Sequence, residues 1–203
     1  MTTKYMVLDT ETSGLFNFKL PADDPTQPRL ATAAIILLDD LEVEPREFGF
    51  MVKPDGWEMS EGATAVNGLT TEMLLEGGRP VAEVLDFYET CINDGYHMAA
   101  FNAQFDGKMM RGEFRRAGRP DHFERTPNVC LMRAMTDVCQ LPAANGRRGF
   151  KFPKLVEACK HIEREQDQAH SAMGDARDAL AVLLWLARRD LLPEATIHYK
   201  PEA

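Results

Sequence analysis

The chain has 203 residues, of which 44% are hydrophobic, so it is long enough to bury a core without disulfides or a structural metal. Its 23 lysines and arginines against 32 aspartates and glutamates give a net charge of −9, which by itself argues against a nonspecific nucleic-acid-binding protein with a basic surface. The longest apolar block, 179–187, falls short of the ~20 residues that span a bilayer, which excludes a transmembrane protein.

Cysteine usage indicates a reducing compartment. The four cysteines, Cys91, Cys130, Cys139 and Cys159, form neither a CxxC pair nor a set with zinc-ligand spacing. The N-terminal segment MTTKYMVLDTETSG lacks the apolar run of a signal peptide. We therefore expect a soluble cytoplasmic protein with reduced thiols, in which Cys91 and Cys159 are half-buried on helices.

Positive charge is nevertheless concentrated in two segments. The first contains Lys108, Arg111, Arg115, Arg116 and Arg119, and the second contains Arg147, Arg148, Lys151 and Lys154. In addition, a cluster of carboxylates contributes its full negative charge only while it is empty, and much less once divalent cations are bound. Net charge alone therefore does not decide whether the protein binds nucleic acid.

Three strands are predicted before the first long helix. Apolar runs over Lys4–Asp9, Leu30–Leu38 and Arg46–Lys53 have the length and composition of strands, and residues 39–45 form the turn between the last two. A long loop, Thr10–Pro28, separates the first two strands, and the sequence assigns no role to its part Asn17–Pro28.

Helices follow. Short helical segments are predicted around Ser60–Val66 and Thr70–Leu75, the second capped by Thr70 or Thr71. Pro80 then opens a longer helix with apolar residues at helical spacing, because proline is favourable at the first helical position.

A strand and a helix are predicted near the middle of the chain. The strand is His97–Phe101, and Asn102 is a good N-cap for the helix that follows it. The inner stripe of this helix would contain Phe105, Met109 and Phe114. Its outer, exposed stripe would contain Lys108, Arg111 and Arg115.

The last third of the chain is mostly helical. Residues 128–141 are ambiguous, with an extended entry into a helix as one interpretation, and Lys154–His161 is a short helix. The final helix begins at Ser171 or Gly174 and ends near Arg189. The predicted order of elements is three strands, a helix, a strand, a helix and then further helices. This order indicates an α/β fold with a mixed sheet, as one domain over residues 1–203.

Acidic residues at the end of the first strand are the first chemical signal. Asp9 and Glu11 are two residues apart, so both side chains project to the same face of a strand. Side by side they raise one another's pKa, and a hard divalent cation relieves that repulsion. The alternative is an acidic pair on a solvated strand end.

Two further signals lie later in the chain. Asp106 falls in the first turn of the helix capped by Asn102, where the helix dipole alone would favour a carboxylate. If Ser171 caps the final helix, His170 lies on the preceding loop and Asp175 lies in the first turn, so both can reach one site. An ordinary surface histidine is the alternative. Asp178, one turn further, is assigned to a solvated helix face or to a pair with a nearby arginine.

In order, the motifs DTET at residues 9–12, NAQFD at 102–106 and HSAMGD at 170–175 resemble the three motifs of the DEDDh 3'–5' exonucleases. This DnaQ-like group has a ribonuclease H-like fold and includes polymerase proofreading exonuclease domains. Segments AVNGLTTE at 65–72 and FPKL at 152–155 also resemble the family, so the similarity spans about Tyr5–Leu186. The resemblance implies an α/β fold with a central mixed five-stranded sheet flanked by helices.

The resemblance also implies a mechanism. It assigns Asp9, Glu11, Asp106 and Asp175 as ligands of two Mg²⁺ or Mn²⁺ ions, and His170 as the base that takes a proton from the attacking water. Oxygen ligands suit these hard cations, and zinc is disfavoured because the sequence has no Cys/His cluster. The product would be a 5'-mononucleotide and a strand one unit shorter.

Residues near the first motif are candidates for substrate binding. Family members bind the terminal nucleotide near Thr10 and Thr12, Leu15 is placed to pack on the last base, and Asn67 to meet its sugar or base. Lys108, Arg111 and Arg115 would either follow the nucleic-acid backbone or form a simple exposed helix face.

Departures from the family pattern bear on the substrate. Phe101 and Asn67 stand where histidine is frequent, and Cys130-Leu131-Met132 replaces a frequent Asp-Thr pair. The preferred substrate is the 3' end of single-stranded DNA, the alternative is RNA trimmed by an exoribonuclease or oligoribonuclease, and a catalytically silent nucleic-acid-binding module is disfavoured. No membrane partner is expected, and polymerase docking or self-association stays open.

Overall fold

A five-stranded mixed sheet organises the computed structural model, which describes residues 3–122, 126–143, 148–166 and 170–197. The strands are β1 (Tyr5–Thr12), β2 (Leu30–Leu38), β3 (Arg46–Met51), β4 (His97–Ala100) and β5 (Asn128–Cys130). Their order is β3-β2-β1-β4-β5, with antiparallel pairing among β1, β2 and β3 and parallel pairing among β1, β4 and β5. The prediction of a mixed five-stranded sheet flanked by helices is confirmed.

The helices are α1 (Glu61–Asn67), α2 (Thr71–Gly77), α3 (Val81–Asn93), α4 (Ala103–Arg116), α5 (Leu131–Cys139), α6 (Leu155–His161) and α7 (Ala172–Ala187). The side chains of Thr70 and Ser171 accept hydrogen bonds at the starts of α2 and α7, so these two predicted caps are confirmed, and Ser60 caps α1 in the same way. Asn102 stands before α4 but its side chain makes no cap hydrogen bond. The ambiguous segment 128–141 divides into β5 and α5.

Alternating side chains of β1 separate two hydrophobic layers. Met6 and Leu8 pack with α3 and α4, whereas Val7 packs with α5, α6 and α7 on the opposite face. Because side chains alternate along a strand, Asp9 and Glu11 continue the face of Val7 and point toward α7. The fold thereby presents both carboxylates to the helix that carries the last motif.

The long loop between β1 and β2 packs on α4. Lys108 Nζ donates to the backbone oxygen of Leu20 at 2.6 Å. Arg29 donates to both carboxylate oxygens of Glu113, at 2.8 and 2.9 Å, and the Glu113 side chain is only 1% exposed. Glu113 also accepts from Arg116 Nη1 and from the backbone N–H of Leu30, both at 3.2 Å, so its buried charge is compensated and the loop is fixed to α4.

The predicted outer stripe of α4 is therefore not an exposed basic face. The side chain of Arg111 is 3% exposed, and its Nε donates to Asp121 Oδ2 at 2.6 Å. Arg115 Nε donates to the same oxygen at 3.1 Å and pairs with Asp23 of the loop. Helical periodicity identified the stripe correctly, but the loop and the segment after α4 cover it.

Gly112 is required where the loop approaches α4. A Cβ at this position would lie 2.5 Å from the backbone oxygen of Ala22. We expect Gly112→Ala to lower the free energy of unfolding by about 1–3 kcal/mol, and the melting temperature by several degrees, because the loop must move to relieve the overlap. The control is Gly62→Ala in α1, where a Cβ meets no atom within 4 Å. That change should be neutral or slightly stabilising, and equal melting temperatures for both variants would contradict the steric account.

The cysteines follow the sequence prediction except in their burial. Cys91 on α3 and Cys159 on α6 are on helices as predicted, but they are fully buried rather than half-buried. All four cysteines are free thiols. Among the described residues, no helix combines the length and apolar character needed to cross a bilayer.

Candidate active site

A cleft opens where β1 extends past its parallel neighbour. The β1–β4 pairing ends at Val7, opposite Ala99, whereas the β1–β2 pairing continues to Thr12. The sequence had indicated that the DTET residues come at and just after the end of the first strand, but they lie within β1. The cleft has a volume of about 610 Å³, within the range of small-molecule sites. All nine predicted site residues line it, namely Asp9, Thr10, Glu11, Thr12, Leu15, Asn67, Asp106, His170 and Asp175.

Three carboxylates converge in the cleft. Oxygen atoms of Asp9, Glu11 and Asp175 all lie within 4.8 Å of one another. Two come from β1 and one comes from the first turn of α7, whose N-terminus points at the end of the strand. Such a set of oxygen ligands fits a hard divalent cation, and among the described residues no Cys/His cluster competes for that role.

The fourth predicted ligand approaches from the other side of the sheet. Asp106 lies on α4, its residue is 4% exposed, and its Oδ1 accepts a hydrogen bond from Thr10 Oγ1 at 2.8 Å. Thr10 faces α4 because it alternates with Asp9 and Glu11 along β1. Asp106 lies outside the group of three within 4.8 Å, but its charge raises the pKa of Asp9 more than either of the other two carboxylates does.

Burial raises the pKa of all four acids, and repulsion from another carboxylate of the cluster adds to this rise for Asp9, Glu11 and Asp106. Burial is the largest cause for each of them. It raises the pKa of Glu11 and of Asp106 to about 7, raises that of Asp175, and raises that of Asp9 well above its usual range. Ionising the cluster therefore costs free energy that a bound cation would offset.

His170 lies directly before the N-cap of α7. Its backbone adopts φ of 66°, a left-handed conformation that is uncommon outside glycine, and its side chain is exposed to the cleft. Burial raises the pKa of Asp175. The charge of His170 and the hydrogen bond from its backbone N–H lower the pKa of Asp175 by less. The loop and the first turn of α7 thus bring both predicted residues to one place, as the Ser171 cap required.

Asp178 stabilises the approach to this loop. Its side chain is fully buried, and its two carboxylate oxygens accept from Arg164 at 2.6 Å and from Gln166 at 3.0 Å. The prediction of a pair with a nearby arginine is confirmed, and the alternative of a solvated helix face is wrong. The charge is compensated inside the protein, so Asp178 is a structural group outside the cleft.

The predicted substrate-binding residues occupy the rim of the cleft. Leu15 is 93% exposed and lies at the rim of the cleft. Asn67 Nδ2 donates to Glu11 Oε2 at 3.4 Å, near the limit of a hydrogen bond. The hydroxyl of Thr12 donates to the backbone oxygen of Gly14 at 2.7 Å, and that of Thr10 is used by Asp106.

Sequence reasoning missed the apolar walls of the cleft. Phe101, directly before the NAQFD motif, and Phe105, within it, line the cleft together with Val66 and Leu155. Phe105 was assigned to the inner stripe of α4, but it is only partly buried and packs edge-to-face on Phe16 of the loop. The signal was present, since each phenylalanine is next in sequence to a polar residue of the motif, Phe101 to Asn102 and Phe105 to Asp106, but spacing cannot separate a core position from a cleft wall.

The raised pKa values predict an unusual pH dependence of stability. The pKa of Asp106 rises from 3.8 to about 7 on folding, so the folded protein binds more protons than the unfolded chain between these values. The free energy of unfolding of the metal-free protein should therefore fall as pH rises from about 4 to 7. Asp106→Asn removes the charge and keeps an oxygen that accepts from Thr10.

The measurement is thermal and urea unfolding in EDTA at pH 5 and pH 8. The difference in free energy of unfolding between Asp106→Asn and the wild type should shift by about 1–3 kcal/mol in favour of the variant between pH 5 and pH 8. A stability difference that does not change with pH, or that favours the wild type more at pH 8, would contradict this account of the cluster.

The fold and the cleft define a nuclease of the hydrolase class, and comparison with known proteins agrees. A family model described as Exonuclease, of the RNase T type, matches residues 6–183, so the chain belongs to this exonuclease family. None of the curated proteins matches the sequence.

Solved structures of exonuclease I share the fold, which is ribonuclease H-like. The E. coli enzyme in complex with a dT13 oligonucleotide is 21% identical over 93% of this chain and 42% of that chain, with a TM-score of 0.75. The zinc-bound E. coli enzyme in complex with single-stranded DNA is 21% identical over 93% of this chain and 41% of that chain, at 0.74. Exonuclease I from Methylocaldum szegediense is 22% identical over 92% and 41%, at 0.72. The chain thus spans about two fifths of the length of these proteins.

Proposed function

We propose that this protein is a 3'–5' exonuclease that hydrolyses the terminal phosphodiester bond of single-stranded DNA and releases 5'-mononucleotides. The observation that carries the proposal is the convergence of Asp9, Glu11 and Asp175 within 4.8 Å, with Asp106 close enough to act on Asp9. Residues 1–203 would form one exonuclease domain, which is supported by the single sheet that the described residues build.

Two divalent cations, Mg²⁺ or Mn²⁺, are the proposed cofactors. Asp9, Glu11 and Asp175 would hold one ion, and Asp9 with Asp106 would hold the other. Oxygen-only ligands and the repulsion between these buried carboxylates support this assignment. Ions bound there would lower the pKa of a coordinated water and stabilise the departing 3'-oxygen.

The protein's own groups then have distinct roles. The carboxylates would hold the cations beside the scissile phosphate, and His170 takes the proton of the attacking water as the O–P bond forms. The P–O3' bond breaks on the opposite side. Leu15 packs against the terminal base, and Asn67 and the backbone near Thr10 and Thr12 bind the terminal nucleoside. The exposure of Leu15 and its place at the rim of the cleft support this orientation.

Single-stranded DNA is the proposed substrate, on two grounds. E. coli exonuclease I, which shares the fold, was solved with dT13. The cleft walls are largely apolar and aromatic, which suits a base that stacks without sequence readout.

The test is digestion of 5'-labelled single strands with Mg²⁺ or with EDTA. We expect a metal-dependent ladder that shortens from the 3' end on DNA, with slower shortening on RNA of the same sequence. Faster digestion of RNA would reverse the substrate assignment. Absence of shortening on both strands in Mg²⁺ and in Mn²⁺ would refute the exonuclease proposal itself.

A further inference from the structure

A cluster of exposed aromatic and basic side chains lies next to the catalytic cleft and takes no part in the site described so far. We call it the aromatic ridge, and it consists of Arg133 on α5 together with Phe150, Phe152 and Lys154 in the segment before α6. Phe150 is 44% exposed and Phe152 is 53% exposed. Residue 155, immediately after the ridge, lines the cleft.

Arg133 and Phe152 form a preorganised pair. The guanidinium of Arg133 lies over the ring of Phe152, 5.5 Å from its centroid. Within the described ranges, no carboxylate pairs with Arg133, so its N–H donors stay available for an anion. An arginine stacked on an aromatic ring with free donors suits a phosphodiester beside a base.

The segment that carries the ridge is held in place at both ends. The backbone N–H of Lys151 donates to the oxygen of Leu141 at 2.9 Å. The backbone N–H of Lys154 donates to Glu157 Oε2 at 2.7 Å, and Pro153 between them is buried. The exposure of the two phenylalanines is therefore built into the fold.

Local charge contrasts with the rest of the molecule. Residues 148–154, RGFKFPK, contain three basic and two aromatic residues and no acid, although the whole chain carries −9. Lys151 pairs with Glu157 of α6, so the positive charge offered to a ligand comes from the other basic residues. Basic residues interleaved with exposed aromatic rings are typical of surfaces that bind single-stranded nucleic acid.

Geometry decides which part of the substrate reaches the ridge. In an in-line displacement the leaving oxygen departs opposite the attacking water. His170 and Glu11 line a second cavity, of about 350 Å³, on the β2–β3 side of β1. The ridge belongs to α5 and to the segment before α6, which follow β5 in the chain, and β5 lies on the opposite side of β1 from β2 and β3. The next residue after the ridge, Leu155, lines the cleft together with Phe101.

We infer that the aromatic ridge binds the single strand on the 5' side of the scissile phosphate, an inference that rests on the proposed exonuclease function. Bases of the retained strand stack on Phe152 and Phe150, and Arg133 contacts a backbone phosphate. The ridge thereby distinguishes a polynucleotide from a mononucleotide ester, which fills only the terminal cleft.

Two substrates separate the ridge from the cleft. One is (dT)10, and the other is the 5'-p-nitrophenyl ester of thymidine monophosphate, whose leaving group replaces the retained strand. Phe152→Ala and Arg133→Ala should each lower kcat/KM on (dT)10 by about tenfold, the effect of losing one stacked base or one phosphate contact. On the ester, both variants should stay within about twofold of the wild type, because the ester does not reach the ridge.

Arg189→Ala is the matched control. Arg189 lies over the ring of Trp185 at 4.0 Å, in a similar pair at the opposite end of α7 from the site. This variant should leave both rates unchanged. An equal loss on both substrates in the Phe152 and Arg133 variants, or no loss on either, would overturn the assignment of the ridge.

Equilibrium binding measures the contribution of the ridge independently of catalysis. With 5'-fluorescein-(dT)10 in EDTA, both ridge variants should raise Kd about tenfold, and Arg133→Ala should also reduce the slope of log K against log salt by about 0.7. Phe152→Ala should leave the slope unchanged. If the wild type hydrolyses neither substrate, the exonuclease proposal fails, and unchanged Kd values would separately refute the ridge.

Discussion

Asp9→Asn is expected to lower kcat for 3'-end shortening by at least about three orders of magnitude, which corresponds to about 4 kcal/mol in the activation barrier. Asp9 lies within 4.8 Å of Glu11 and Asp175, and the charge of Asp106 raises the pKa of Asp9 more than either of those two carboxylates does. It would therefore contribute to both proposed cation sites, and asparagine removes its charge without changing its shape.

Loss of folding would not explain the result. Burial and repulsion raise the pKa of Asp9 well above its usual range, so Asp9→Asn should keep or raise the melting temperature in EDTA. The measurement pairs kcat on 5'-labelled DNA with thermal unfolding, and Asp55→Asn, at an exposed turn, is the control. More than a tenth of the wild-type rate in Asp9→Asn would contradict the shared-ligand account.

His170→Ala is expected to lower kcat by about 10²–10⁴-fold, the usual contribution of a positioned general base. Cation affinity should stay within a few fold, because His170 is outside the group of three converging carboxylates. Calorimetric titration with Mn²⁺ and single-turnover rates measure the two quantities separately.

The unusual backbone of His170 calls for a second variant. Because φ is 66°, alanine strains the loop, whereas asparagine tolerates the left-handed region better. His170→Asn removes the titratable ring with less strain, so it should lose as much activity as His170→Ala if proton transfer is the role. Recovery of the wild-type rate in His170→Asn would show that the backbone conformation, and not the imidazole, matters.

Local chemistry in the sequence predicted much of the site. The two-residue spacing of Asp9 and Glu11 gave a common face, and the Ser171 cap placed His170 and Asp175 at one helix start. These are short-range properties of a strand and of a helix N-terminus, so they can be derived without knowing what packs around them.

Long-range packing accounts for the parts that could not be predicted. Arg111 and Arg115 have the helical spacing typical of an exposed stripe, but Asp121 pairs with both of them and Asp23 of the loop before β2 pairs with Arg115. Asp178 follows Asp175 by one turn, and only the fold brings Arg164 to it. Similarly, the approach of Asp106 from the α4 side and its bond to Thr10 depend on where β4 ends relative to β1. Periodicity identifies a face of an element, but the face's partner lies elsewhere in the chain.

The most direct test of the central claim is anomalous diffraction from crystals soaked in Mn²⁺. The account predicts two peaks about 3.5–4 Å apart, one coordinated by Asp9, Glu11 and Asp175 and the other by Asp9 and Asp106. Crystals of Asp106→Asn should lose or weaken the second peak only. Peaks outside the cleft, or no peak at the four carboxylates at saturating Mn²⁺, would contradict the two-cation site.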